Sequence, residues 1–119
     1  MSELARDGLS YSRLGGQVRN PYDLTRTPGG SSGGTGAAIA AHLGLAGTGS
    51  DTGQSIRSPA SACNLVGVRP TRGLISRSGI MPNSLIQDEI GPNARTVADA
   101  ALLLDVMAGF DPEIGRAHV

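Results

Sequence analysis

The sequence predicts an α/β fold. Three observations carry this. A glycine–serine loop over 29–36 runs directly into good helix formers over 37–43. Short apolar runs at 45–49 and 66–68 read as strands rather than helices, because they are too brief for a helical turn pattern to develop. The apolar residues of 97–108 recur at helical spacing between a capping residue and a glycine stop.

The elements follow in chain order. Residues 1–28 are polar with little periodicity and read as an irregular N-terminal arm, with turn signals at Gly15-Gly16 and Asn20-Pro21. The loop at 29–36 opens a helix over 37–43 that Thr35 or Ser32 would cap and Gly44 would stop. Leu45–Gly49 is expected as a buried strand, followed by a tight turn at 51–55. Ser58-Pro59-Ala60-Ser61 starts a short helix with proline at its first position. Val66-Gly67-Val68 is a short strand, and 73–81 is irregular. In the helix at 97–108, Thr96 is the N-cap and Asp99 stands three residues on, a capping box with Asp in place of Glu. Val97, Ala100, Ala101, Leu104 and Ala108 share one face, expected to pack in the core. Gly109 and Pro112 end that helix, and the tail at 113–119 is expected to fray.

Composition narrows the function. Of 119 residues, 18 are glycine and 7 proline, while aromatics make up 3% and tryptophan is absent. Such a chain has much backbone entropy to fix and few large side chains to bury, which suits a loop-rich functional segment of a larger domain. Ten arginines balance ten acidic residues and are dispersed, which argues against nucleic-acid and membrane-surface binding. Cys63 is the single cysteine, so neither an intrachain disulfide nor a cysteine-based zinc site is available, and it reads as a small buried residue. With no basic-plus-apolar leader and no apolar run near 18 residues, the chain reads as cytoplasmic. A phosphate-binding loop of the Walker type needs a lysine that the sequence lacks, and Gly30, Gly33, Gly34 and Gly36 do not have dinucleotide-fingerprint spacing.

The chemistry-bearing residues lie at 29–57. Acyl transfer by a serine needs a nucleophile, a proton acceptor and donors for an oxyanion. Asp51-Thr52-Gly53-Gln54-Ser55 sets a serine at the end of a glycine-bearing turn, where successive N–H groups form an anion-binding nest. Ser31 lies in Gly29-Gly30-Ser31-Ser32-Gly33-Gly34, whose glycines permit conformations other residues avoid.

These two motifs, 24 residues apart, resemble the core signature of the amidase signature family, serine hydrolases with a Ser–Ser–Lys triad. Pro59-Ala60-Ser61, Val66-Gly67-Val68-Arg69-Pro70-Thr71, Ile90-Gly91-Pro92 and Ala94-Arg95-Thr96-Val97-Ala98-Asp99 extend the resemblance, as does Asn20-Pro21-Tyr22-Asp23 upstream. The resemblance implies a mixed β-sheet flanked by helices, the core segment of the family fold, with the signature core at 29–112 of a partial or minimal domain. It implies Ser55 as nucleophile and Ser31, on a cis peptide bond, as the bridging serine. The backbone of Thr52, Gly53 and Gln54 leading into Ser55 would form the oxyanion hole. Ser32, Asp51 and Arg57 would support the site, the last two by pairing with each other or with backbone groups. The implied activity is hydrolysis of a carboxylic amide, with activated esters also cleaved. No metal or organic cofactor is implied.

The sequence departs from the family pattern twice. Gln54 replaces a commoner second glycine, which would be strained if φ were positive there. More consequentially, the family's base is a lysine upstream of the bridging serine, and the chain has none. Arginine does not deprotonate near neutral pH. His42 and His118 read as incidental rather than as surrogate bases. Asp88-Glu89 reads as a solvated pair or a structural Asp88. The partners expected are therefore a small amide or ester substrate, and either a second copy of the chain or a complementary segment that covers its apolar faces.

Overall fold

Small residues build the sheet at the centre of the chain. The computed structural model describes residues 2–112. Strand β3 (Ala46–Asp51) pairs antiparallel with β5 (Glu89–Ala94) over six rungs, from Ala46 opposite Ala94 to Asp51 opposite Glu89. On the other side of β5, the short β4 (Val66–Gly67) pairs antiparallel through Val66–Ala94 and Gly67–Asn93. Helix α1 (Gly33–Ala40) packs on β3 and on helix α2 (Arg57–Ala62), and helix α3 (Val97–Met107) packs on β5. The class is α/β, as expected.

β5 is the hub, and its sequence disguised it. Glu-Ile-Gly-Pro-Asn-Ala has no strand-like alternation, and proline is rare in a central strand. The geometry explains the tolerance. The Pro92 carbonyl accepts from Val68 N–H at 3.0 Å, so its backbone edge faces away from β3. The missing N–H therefore removes no rung of the long ladder. Asn93 is fully buried, and its side chain fills the space that Gly49 and Gly67 leave on either side. A Cβ on Gly67 would lie 2.6 Å from Asn93 Oδ1 and 2.7 Å from Ala60 Cβ. The core between sheet and helices is accordingly thin, made of Ile39, Ile56, Ala60 and Cys63 around Asn93.

Helix α1 begins four residues earlier than its composition suggests and stops earlier. Three glycines lie inside it, an unfavourable choice on propensity that close packing explains. A Cβ on Gly36 would sit 3.1 Å from Pro59 Cβ, so glycine lets α1 and α2 touch. Ser32 occupies the N-cap position but does not cap. Its hydroxyl instead bridges Ser50 C=O (3.2 Å) and Ser50 N–H (3.1 Å) on β3. The first helical N–H, on Gly33, is taken by Ser10 Oγ at 2.9 Å. At the other end His42, not Gly44, makes the stop. It adopts φ of 60°, and the bonds His42 N–H to Ile39 C=O and Leu43 N–H to Ala38 C=O close a Schellman motif. Arg95 then donates to the carbonyls of Ile39 and Gly44.

The remaining differences concern exposure. Leu45 lies outside β3 and is 81% exposed, because the strand starts at Ala46. α3 keeps its expected bounds to within a residue and its cap, with Asp99 N–H donating to Thr96 Oγ1 at 3.1 Å. Its expected core face is not buried: Ala100 is, while Val97 and Ala101 are exposed. α2 begins at Arg57, which puts Pro59 third in the helix, where its absent N–H still costs no helical bond. The N-terminal arm contains a left-handed turn at Leu4–Ala5 and a small hairpin, β1 (Tyr11–Ser12) with β2 (Gly16–Gln17). Both turn signals coincide with turns, at Gly16 with φ of 72° and at Asn20–Asp23. The tail at 113–119, including His118, lies outside the described residues.

Candidate active site

The two serine motifs meet at the end of β3. Ser31 and Ser32 are fully buried at the entry to α1, and Ser55 is 7% exposed in the turn between β3 and α2. Ser32 N–H donates to Ser55 C=O at 3.3 Å, which joins the two loops through their backbones. The Gly30–Ser31 peptide is cis. The Ser31 hydroxyl has no hydrogen-bond partner among the described residues, so the two serine side chains are not bonded to each other.

The Thr52–Ser55 turn is braced from below. Asp51 is fully buried, and its Oδ2 accepts from Ile56 N–H at 3.1 Å and from Arg57 Nε at 3.1 Å. Its Oδ1 accepts from Arg69 at 2.9 Å and from Arg57 Nη2 at 3.3 Å. Arg57 also donates to the Gly53 carbonyl, and Arg69 to the Asp51 carbonyl and, at 2.7 Å, to that of Gln87. Burial pushes the Asp51 carboxyl up. The Arg57 hydrogen bond, the Ile56 N–H and the two guanidinium charges outweigh it and hold the group below the usual carboxylate range. Thr52 is tied down by its hydroxyl, which donates to Asp88 at 2.5 Å. Asp88 also accepts from the N–H groups of Asn83 and Ser84. Burial raises its pKa, but these hydrogen bonds and Arg77 bring it below the ordinary value. Asp88 is thus structural, and neither it nor Glu89 is solvated. Glu89 is buried opposite Asp51 with no hydrogen-bond partner among the described residues.

While the carbonyls of Gly53, Gln54 and Ser55 accept from Arg57, Ser58 and Ser32, the N–H groups of the same three residues donate to no protein acceptor among the described residues. They are three successive free donors at the serine, the arrangement an oxyanion requires. Gln54 does not take a positive φ, so its replacement of glycine carries no backbone strain.

The N-terminal segment forms the opposite wall. Ser10 Oγ donates toward Gly29 C=O (2.8 Å) and Ser31 C=O (3.2 Å) while accepting from Gly33. Ser2 N–H donates to Ser31 C=O at 3.0 Å. Gly8 backbone lies against Gly30, where a Cβ would be 2.7 Å from the Gly8 carbonyl carbon, so only glycine admits this approach. Between wall and turn is a cleft of about 190 Å³ lined by Ala5–Gly8, Gly30 and Thr52–Ser55. Ser2, Asp7 and Ser10 were not recognisable from sequence, being isolated polar residues in an unpatterned stretch. Arg69 stood in the stretch Val-Arg-Pro, but its partner was not evident. His42 is exposed at the far end of α1, about 12 Å from its start at 1.5 Å per residue. It does not belong to this site.

The amidase family matches residues 1–119. The chain belongs to the amidase family. The A subunit of glutamyl-tRNA(Gln) amidotransferase from Desulfatibacillum aliphaticivorans is 51% identical over 112 residues, which is 94% of this chain and 23% of that protein. The crystal structure of the corresponding protein from Thermotoga maritima superposes with a TM-score of 0.84 at 46% identity, covering 92% of this chain and 24% of that one. Native peptide amidase from Stenotrophomonas maltophilia gives a TM-score of 0.88 at 44% identity, with 94% and 23% covered. The chain therefore spans about a quarter of the length of these relatives and corresponds to their signature segment. No helix among the described residues is long and apolar enough to cross a membrane.

Proposed function

We propose that this amidase-family chain carries the nucleophile and oxyanion site for hydrolysis of a carboxylic amide to an acid plus an amine or ammonia. The observation that carries the reading is the run of free N–H groups from Gly53 to Ser55, held in place by Asp51, beside the buried and unpartnered hydroxyl of Ser31. Membership of the amidase family, and similarity to a peptide amidase and to amidotransferase subunits, supports amide bonds as the substrate class.

In this mechanism Ser55 Oγ attacks the amide carbon, and the carbonyl oxygen becomes an oxyanion facing the free N–H groups. The Ser55 proton passes to Ser31, which hands its own hydroxyl proton to a base. The base is not a lysine of these 119 residues. The C–N bond then breaks, the amine leaves with a proton, and an acyl ester remains on Ser55. Water hydrolyses the ester and restores the hydroxyl. Ser32 holds the bridging loop against β3. Activated esters suit the same site and react faster than amides where the base is missing, since their leaving group needs less protonation. The cytoplasm is the compartment this reading assigns.

A second reading is favoured by one observation, the absence of lysine in a chain spanning 23% of its relatives' length. In it the chain is a non-catalytic segment whose site is completed by another stretch of polypeptide. Intact-mass labelling with a fluorophosphonate separates the two. A single stoichiometric adduct, lost in Ser55→Ala and slowed in Ser31→Ala, with a matched ester cleaved faster than its amide, establishes the enzyme reading. A folded sample without adduct establishes the other.

A further inference from the structure

The cleft beside Ser55 has a charged wall that the mechanism does not use. Arg6 lines it together with Gln54, Thr52 and Gly30. The guanidinium of Arg6 forms no hydrogen bond or ion pair among the described residues, although most other arginines in these residues are committed to carboxylates or carbonyls. Its position is nevertheless built. Ser2 N–H on one side and Ser10 Oγ on the other bind the carbonyl of Ser31. Asp7 ties the loop between them, with its Oδ1 accepting from Ser2 Oγ (2.6 Å), Leu9 N–H (2.8 Å) and Ser10 N–H (3.0 Å).

Asp7 also lines the cleft, and its charge must be weighed against that of Arg6. Its carboxylate is held below the usual range by the Ser2 hydroxyl first and the Leu9 N–H next, so it stays ionised and its oxygen already serves three donors. Arg6 has five N–H donors unspent. Gln54 adds a side-chain amide near Gly8, where a Cβ would lie 3.7 Å from its Nε2. Among the charged side chains of this wall the five Arg6 donors outnumber the one acceptor left over, Asp7 Oδ2, and the planar guanidinium matches a carboxylate in two parallel bonds.

Resting on the reading of Ser55 as nucleophile, we infer that Arg6 is a specificity-determining residue that selects amides carrying a carboxylate. Gln54 assists as a second donor, and Asp7 is a positioning residue that holds the Arg6 loop. The cleft is smaller than the ~300–1,000 Å³ typical of drug-sized ligands, so a compact anionic amide fits this part of the site better than a long apolar acyl chain.

The test uses a near-isosteric pair, succinamate and butyramide, which differ in a terminal carboxylate against a methyl group. Each is titrated for protection of Ser55 in the full chain against a neutral alkyl fluorophosphonate, read by intact mass. Succinamate is expected to protect at a concentration at least about tenfold lower than butyramide, the effect of one charge-assisted pair. Arg6→Gln should bring the two concentrations together, and Arg6→Lys should restore part of the gap through its point charge. Raised ionic strength should narrow the gap in the unsubstituted chain. Equal protection by both amides, no protection by either, or a preference that survives Arg6→Gln overturns the inference while leaving Ser55 labelled. Failure of Ser55 to label at all overturns the nucleophile reading and this inference with it.

Discussion

Asp51 shows how one buried side chain shapes a site it does not touch. Its two oxygens accept from Ile56 N–H, Arg57 and Arg69, and this sets the turn that leaves the N–H groups of Gly53 to Ser55 free. Because the folded carboxyl lies below its ordinary value near 3.8, the stability it lends is complete above that pH and is lost as the pH falls through the folded value. Asp88 contributes with the same sign. Tm is therefore expected to drop below about pH 4, and Asp51→Asn should flatten that drop. At neutral pH the variant should lose about 2–3 kcal/mol, since Asn can still accept from Ile56 but pairs with neither guanidinium. Arg57 is half exposed, which keeps the figure at the modest end for a buried carboxylate. Tm measured against pH for both proteins checks this, and parallel curves would remove Asp51 as the source of the acid sensitivity. At this scale the sequence was informative where residues came in dense motifs. Asp51, Ser55 and Arg57 fall within seven positions, and the expectation there was that Asp51 and Arg57 pair with each other or with backbone groups. Ser10 and Asp7 were not legible, since a serine bonded to a glycine 23 positions away carries no local pattern.

Among the elements, legibility followed periodicity and failed where tertiary packing overrode propensity. α3 has a capping box, a helical repeat and a glycine stop, and its bounds were read to within a residue. β5 has none of these, and its Gly-Pro-Asn centre argues against a strand until the direction of the Pro92 backbone is known. α1 starts on glycines because Ser10 and Pro28 crowd Gly33 and Pro59 crowds Gly36. Ser10 is the joint that connects arm, loop and helix, serving the Gly33 N–H and two carbonyls at once. Ser10→Ala is expected to cost about 2 kcal/mol, at the upper end for a lost helix cap because the site is buried. It should also slow labelling of Ser55, since the Ser31 loop loses its clamp. Thr96→Ala removes an exposed cap from α3, far in sequence from these loops, and should cost about 1 kcal/mol with no change in labelling. Denaturant unfolding with labelling rates on both variants checks the pair. Equal labelling in Ser10→Ala and the unsubstituted chain would show that the clamp is dispensable.

At the scale of the whole molecule, the chain has more apolar surface than its own sheet and helices cover. A helix apolar on most of its circumference needs neighbours on several sides, and α3 has them on one. Leu102 is 67% exposed and Val106 76%, and with Leu45 at 81% they line a groove of about 330 Å³ edged by Arg95 and Asp99. Leu102 and Val106 lie outside the face that helical spacing assigns to the core, and nothing large covers them: aromatics are 3% of the chain, and none lines this groove. Expressed alone, the 119-residue chain is expected to cover this groove with a second copy, because contiguous exposed apolar patches drive association. Light scattering should give a mass that rises with concentration. Leu102→Lys together with Val106→Glu should return it to the monomer without unfolding, because both side chains are mostly exposed in the single chain. A monomer at high concentration before any substitution would mean that the groove is too shallow to hold a copy. Retained association in the double variant would move the interface to the exposed Leu4, Ile80 and Met81 beside Thr48–Ser50 of β3.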